Sequence, residues 1–159
     1  MVLIVTGGIG SGKSEVCRIL TRLYGCSLYE ADSKAKELYM KYPALLESIE
    51  AGLGASFRDQ AGNFLPKSMA ERIFSDGKAV DIVEGLLFPY MMEDFRKFLE
   101  TSENIVIFES ATILEKPFFD DFGDKVMLVD APFETRLDRA CERDNASRDA
   151  VMARMGAQE

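Results

Sequence analysis

Residues 2–20 read VLIVTGGIGSGKSEVCRIL, and the fold turns on this stretch. Val2–Thr6 is short, β-rich and stopped by glycine, which predicts a buried strand. Lys13–Leu23 carries Val16, Ile19, Leu20 and Leu23 at helical spacing, which predicts a helix with that face inward, closed by Gly25. Between them, Gly7-Gly8-Ile9-Gly10-Ser11-Gly12-Lys13-Ser14 fits G-x-x-x-x-G-K-[ST]. Glycines open backbone angles closed to other residues, so successive N–H groups can face one anion. The following helix adds the positive end of its dipole. At average composition the pattern arises by chance in roughly 1 of 200 chains this long, and the strand before and helix after reduce that further. The segment therefore reads as a phosphate-binding P-loop. Gly8, Ile9, Gly10, Ser11, Gly12, Lys13, Ser14 and Glu15 are its nucleotide-contact candidates. Lys13 supplies charge to the terminal phosphates of ATP or GTP, and the Ser14 hydroxyl is a candidate Mg²⁺ ligand.

Composition narrows the function. The 159 residues suit one domain with a real core. A net charge of −8 argues against nucleic-acid binding through a broad basic face, while leaving room for a locally basic pocket. Three dispersed cysteines, with no CxxC pair and no histidine, read as buried thiols in a reducing compartment, not a zinc site. Without histidine, a general base must be a carboxylate, lysine, tyrosine or cysteine. No stretch approaches the roughly 18 apolar residues of a membrane span, and Val2–Val5 is too short for a signal-peptide core, so a cytoplasmic location is expected.

Further along, strands are expected at Ser27–Glu30, Asn104–Phe108 and Lys125–Val129. Helices are expected at 33–42, 43–51, 68–74, 76–87, 91–99, 133–143 and 147–155. Asp76 and Ser147 read as caps, and Pro89 breaks or kinks its helix. Met91, Met92, Phe95, Phe98 and Leu99 are expected inward; Phe118, Phe119 and Phe122 read as core or interface. Residues 52–66 read as loop. Strands alternating with helices imply βαβ units and a parallel sheet with helices on both faces. Such sheets bind ligands at the strands' carboxyl ends, where the glycine loop, Asp32 and Glu109 all fall.

Asp32 reads both as the N-cap of a helix beginning at Ser33 and as a carboxylate able to orient an attacking hydroxyl. Glu109 reads either as a strand-end surface acid or as a Mg²⁺-linked one. Arg136, Arg139 and Arg143 lie at i, i+3 and i+7 on one helix face, with Arg148 and Arg154 following. A planar guanidinium fork suits phosphate oxygens as charge develops. Arg139 and Arg143 are the candidates for that task, and Arg136 reads as surface. No NKxD-like guanine signature is present, which weakens a GTPase reading.

GGIGSGKSEV, EADSKAKEL, GNF with IFSD, VEGLLFPYM, FESATILE, KVMLVDAPFETRLDRACERD and ARMGAQ follow one another in order. Together they resemble the dephospho-CoA kinases over essentially the whole chain. The resemblance implies a single P-loop NTPase domain over 1–159, a three-layer α/β sandwich with a parallel sheet. It also implies a helical CoA-side insertion at about 43–99 and an arginine-bearing lid at about 139–158. The implied reaction uses ATP and Mg²⁺ to phosphorylate the ribose 3′-hydroxyl of dephospho-CoA, giving CoA and ADP. Asp32 matches the second acid of the family's Asp-Ala-Asp motif, and Lys13, Arg139 and Arg143 match its phosphate-handling residues. The implied partner is this small-molecule substrate, with no nucleic acid or membrane. The sequence departs from the family at Glu15, where threonine is usual, at Glu30 for the motif's first aspartate, at Leu65-Pro66 for Asp-Arg, and at Phe88 for histidine. Family members also continue past the position of Glu159 with a strand and a helix, so the fourth strand is an expected sheet edge. Another P-loop small-molecule or nucleotide kinase, distinguished by an acceptor panel, and a nucleotide binder without turnover are the competing readings.

Overall fold

In the computed structural model, residues 1–74, 76–113 and 122–156 are described. The elements are β1 (Val2–Thr6), α1 (Lys13–Tyr24), β2 (Ser27–Glu30), α2 (Ala31–Lys41), α3 (Pro43–Leu53), α4 (Pro66–Phe74), α5 (Gly77–Glu100), β3 (Val106–Glu109), β4 (Lys125–Leu128), α6 (Phe133–Asp144) and α7 (Arg148–Gly156). They divide into two units: Met1–Glu30 with Leu99–Glu159, and Ala31–Phe98. The second unit takes in α2, whereas the sequence reading starts the helical insertion at about 43. Phe118, Phe119 and lid positions 157–158 lie outside the described residues.

In the first unit four parallel strands run in the order β2-β3-β1-β4. Val5 of β1 sits opposite Glu109 and Met127, and Glu30 opposite Glu109, so all carboxyl ends lie at one edge. The chain leaves β1 between β3 and β4, where successive connections turn to opposite sides of the sheet, the usual place for a ligand. Val5 and Ile107 pack against Cys17 and Cys26. Tyr29 stacks on Phe108 at 5.3 Å, and Phe122 meets Phe108 edge-on at 4.9 Å, a core contact. The interior strands β1 and β3 are apolar up to their last residues, Thr6 and Glu109, as strands covered on both faces are. On the edge strand β4, Val126 and Leu128 are exposed.

Four helical expectations are corrected. The buried contact of α1 is Cys17, with Leu20 beside it, while Leu23 is 61% exposed. Cys17 lies one turn past Lys13, on the face that the loop turns toward the sheet. Pro89 neither ends nor splits its helix, since α5 runs unbroken for 24 residues. An internal proline costs about 3 kcal/mol. Val83, Leu87, Met91 and Phe95 are all buried at four-residue spacing, and burying four such side chains is worth about 6 to 12 kcal/mol. Burial therefore outweighs the broken hydrogen bond. Met92, Phe98 and Leu99 are only half-buried, outside that stripe. Asp32 is not an N-cap: α2 starts at Ala31, directly after β2, which puts Asp32 within its first turn. Ser147 does cap α7, its Oγ accepting from the Ala150 N–H at 3.3 Å.

The helical unit buries Leu38, Leu45, Leu46, Ile49 and Phe57. The stretch between α3 and α4 is closed by a bridge between Arg58 and Phe64. Glu50 fixes it by accepting from the Phe57 N–H at 2.8 Å and from Arg58. Among the described residues no helix is long and apolar enough to cross a membrane.

Candidate active site

The glycine loop leaves β1 and delivers the chain into α1. Gly10 has φ 74° and Gly12 φ 102°, backbone that favours glycine. A Cβ on Gly10 would also collide with the Arg136 backbone carbonyl. Ile9, the non-glycine at the tip, packs into a cluster of Leu137, Ala140, Val151 and Met155 from α6 and α7. The loop is thus anchored on the arginine-bearing helices.

The residues within the loop suit an anion. Ser11 Oγ is buried with no hydrogen-bond partner among the described residues. The first N–H groups of a helix lack intrahelical acceptors, and α1 opens at Gly12, which has no side chain to cap them. Lys13 Nζ donates to the carbonyls of Gly7 at 2.7 Å and Gly8 at 3.2 Å. That ammonium lies across the loop on groups that a phosphate can replace.

A cavity of about 190 Å³ opens over the loop, lined by Gly10 to Glu15 with Arg139 and Arg143. Small-ligand sites typically span about 300–1,000 Å³, so this one is sized for phosphates and not for a whole nucleotide. Arg139 Nη1 reaches the carbonyls of Gly10 and Ser11 at 3.5 and 3.4 Å, which are long contacts. Arg143 grips Asp144 through two hydrogen bonds of 2.7 and 3.1 Å, and Arg154 shares that carboxylate at 2.7 Å. The Arg143 guanidinium holds the Asp144 carboxyl down at about 2, with Arg154 adding to it. Arg148 pairs with Glu134 and Asp138. Arg139 therefore has no acidic partner among the described residues, and its charge faces the loop.

The structure corrects the sequence reading of Arg136. It is not surface: its side chain is only 15% exposed. Its Nε donates to the Ile9 carbonyl at 3.1 Å, and its guanidinium lies over Gly8 where a Cβ would stand. A usable signal was its place in the first turn of a helix entered from β4's carboxyl end. That turn is the part of the arginine stripe nearest the loop.

Glu15 lines the cavity, but its carboxylate is held by Arg18 at 2.5 and 2.9 Å and is thereby made more acidic. Its charge is therefore already paired with a guanidinium one turn along α1. Glu109 lies at the sheet's carboxyl edge. Burial first, then the charges of Glu109 and Glu30, push the Cys17 thiol up to about 12. Asp32 lies in the helical unit, where it borders a separate cavity with Ala35, Lys36 and Tyr39 of α2.

A parallel sheet in this order, with a glycine loop at its switch point and an arginine-bearing helix against that loop, is the P-loop kinase fold. The whole chain, residues 1–159, matches the family model for dephospho-CoA kinase, and the chain belongs to that family. It is 35% identical over 155 residues to the dephospho-CoA kinase of Porphyromonas gingivalis, covering 98% of this chain and 76% of the relative. Among solved structures it is similar to TT1252 from Thermus thermophilus, with a TM-score of 0.82 and 26% identity over 100% of this chain and 80% of the other. It is also similar to the dephospho-CoA kinase from Campylobacter jejuni, with a TM-score of 0.61 and 25% identity over 99% and 79%.

Proposed function

We propose that this chain transfers the γ-phosphoryl group of ATP to the ribose 3′-hydroxyl of dephospho-CoA, giving CoA and ADP. The observation that carries the reading is the loop itself, with a Ser11 hydroxyl and an Arg139 that have, respectively, no hydrogen-bond partner and no acidic partner among the described residues, and a displaceable Lys13 ammonium, around one small cavity. In this reading the N–H groups at the start of α1 bind the β- and γ-phosphates, and Lys13 leaves the Gly7 and Gly8 carbonyls to join them. Ser14 would hold Mg²⁺, which when bound neutralises charge on the phosphates. Arg139 and Arg143 close from the lid onto the transferring group. The new bond joins the 3′-oxygen to phosphorus, the bond to the β–γ bridging oxygen breaks, and the hydroxyl proton passes to Asp32. Such a reaction needs mainly positioning and charge stabilisation, and these residues are of the types that supply both.

The test is CoA formation from dephospho-CoA and ATP, with and without Mg²⁺, by wild type, Lys13→Ala and Asp32→Asn. Wild type should form CoA only with Mg²⁺, and both variants should lose orders of magnitude in rate. Undiminished turnover in Lys13→Ala would overturn the loop's assignment. Undiminished turnover in Asp32→Asn would overturn that of the acceptor-side acid.

A further inference from the structure

The cavity over the glycine loop has one acid in its lining among the described residues, Glu15, beside Lys13, Arg139 and Arg143. A carboxylate is out of place there. It accepts hydrogen bonds and cannot donate one, so it competes with a phosphate for the same donors. Its position in α1 makes the competition specific. The helix has Gly12 as its N-cap, which places Lys13, Ser14 and Glu15 at its first three positions. From the third position a glutamate side chain reaches back to the N–H of the N-cap residue, as in a capping box. Here that N–H belongs to Gly12, inside the loop. Glu15 makes no such bond, because both of its oxygens are taken by Arg18. Nε donates to Oε2 at 2.9 Å and Nη2 to Oε1 at 2.5 Å. The pair is open to solvent, with the two side chains 58% and 56% exposed, so it adds little to stability. Glu15, Arg18 and Arg22 stand at i, i+3 and i+7 on one face of α1, and the Arg22 charge also acts on the Glu15 carboxyl.

We propose that Arg18 is a positioning residue for the donor nucleotide: by holding the Glu15 carboxylate it keeps that acid off the loop's N–H donors and off Arg139. The inference rests on the nucleotide reading of the loop proposed above. It deepens that reading by naming the residue through which a loop with an acid in its lining stays open to an anion. The bidentate fork is the geometry in which a guanidinium holds a carboxylate best. Without it, the freed carboxylate has two cationic or donor partners at the same cavity. One is the Gly12 N–H, within reach by the capping-box route. The other is Arg139, which lines the cavity and has no acidic partner among the described residues. Either pairing removes a group that phosphate needs and leaves a negative charge facing the ligand. Arg18 therefore acts through Glu15 and not by touching the nucleotide.

The test compares wild type, Arg18→Ala, Glu15→Ala and the double variant as full chains, with thermal melts to show that each folds. Calorimetric titration with ADP reads the loop directly, and steady-state assays read the KM for ATP and for dephospho-CoA. Arg18→Ala should weaken ADP about tenfold and raise the KM for ATP alike, the scale of one capping interaction and one nearby like charge. The KM for dephospho-CoA should stay within about twofold. The double variant should bind ADP at least as tightly as wild type, because the acid that Arg18 restrains is gone. An Arg18→Ala protein that binds ADP like wild type would overturn the proposal. So would a double variant as weak as Arg18→Ala, since Arg18 would then meet the phosphates itself or merely hold the helix. If wild type binds no ADP, the nucleotide reading of the loop fails and the role of Arg18 falls with it. If ADP binding follows the expected pattern while wild type forms no CoA, the acceptor reading fails and the role of Arg18 stands.

Discussion

Gly8 and Arg136 offer a sharp test of how the phosphate loop is held. Gly8 is not at positive φ, so an alanine there meets no backbone penalty. Its Cβ would instead collide with the Arg136 guanidinium, which is fixed by its hydrogen bond to the Ile9 carbonyl. Gly8→Ala should therefore act by evicting Arg136, and Arg136→Ala should remove the same interaction from the other side. A hydrogen bond involving a charged group is worth about 1.5–3 kcal/mol. The ion pair of Arg136 with Asp130 adds little, because it is 3.9 Å long and Asp130 is 71% exposed. Each single substitution should then destabilise by about 2 kcal/mol, or roughly 4–8 °C in Tm for a chain of this size. The double variant should lose no more than either single one, giving a coupling energy of about 2 kcal/mol. The assay is thermal and urea unfolding of the four proteins without nucleotide, where no phosphate complicates the effect of the new methyl group. Additive losses would refute the reasoning, since they would mean that Gly8 and Arg136 act separately. A Gly8→Ala protein as stable as wild type would show that the guanidinium gives way at no cost.

Arg139→Ala should lower kcat by about 10²–10³-fold, as loss of a donor to developing charge does. Arg148→Ala, which breaks only ion pairs with Glu134 and Asp138, should leave kcat within about twofold, and equal losses in steady-state assays would refute the distinction. Asp144 titrates lower in the folded chain, at about 2, than its usual 3.8. Its contribution is therefore complete above about pH 4 and lost as pH falls toward 2. Asp144→Asn should flatten that part of the Tm–pH curve, and an unchanged curve would exclude the role. Cys17, fully buried with its thiol pushed up to about 12, should escape iodoacetamide at pH 8 in native protein. The half-buried Cys141 should label first, as peptide mass spectrometry would reveal.

The parts of this fold legible in the sequence are those set by chemistry close along the chain. The bounds of β1 and β2 follow from apolar runs stopped by glycine and by a helix start, and the loop from a glycine–lysine–serine pattern with few structural alternatives. The break at Pro89 that its local cost predicts is absent, because the compensating burial of Val83, Leu87, Met91 and Phe95 depends on partners distant in sequence. A cap is one of the two roles the sequence allows Asp32, because a short polar side chain at a strand–helix junction usually is one. Here β2 passes straight into α2 without a capping residue. The cavity that Asp32 borders has no sequence signature, since Ala35 of α2 and Ala70 of α4 line it together only once the helices face each other.

The arginine stripe of α6 shows how one periodic pattern acquires three roles. Spacing of i, i+3 and i+7 places Arg136, Arg139 and Arg143 on one face but does not rank them. The structure ranks them by distance from the loop and by competition for carboxylates. Arg136, in the first turn, is drawn under the glycines and holds Ile9. Arg143, in the last turn, is claimed by Asp144, which Arg154 of α7 also holds. Between them Arg139 touches the loop only through long contacts and has no acidic partner among the described residues. An arginine that must meet phosphate cannot already be satisfied, because each hydrogen bond it surrenders is subtracted from the one it makes. On that argument Arg139 is the member of the stripe best placed to answer new negative charge. Arg143 can follow only by releasing Asp144, which would couple nucleotide binding to the packing of α7 against α6.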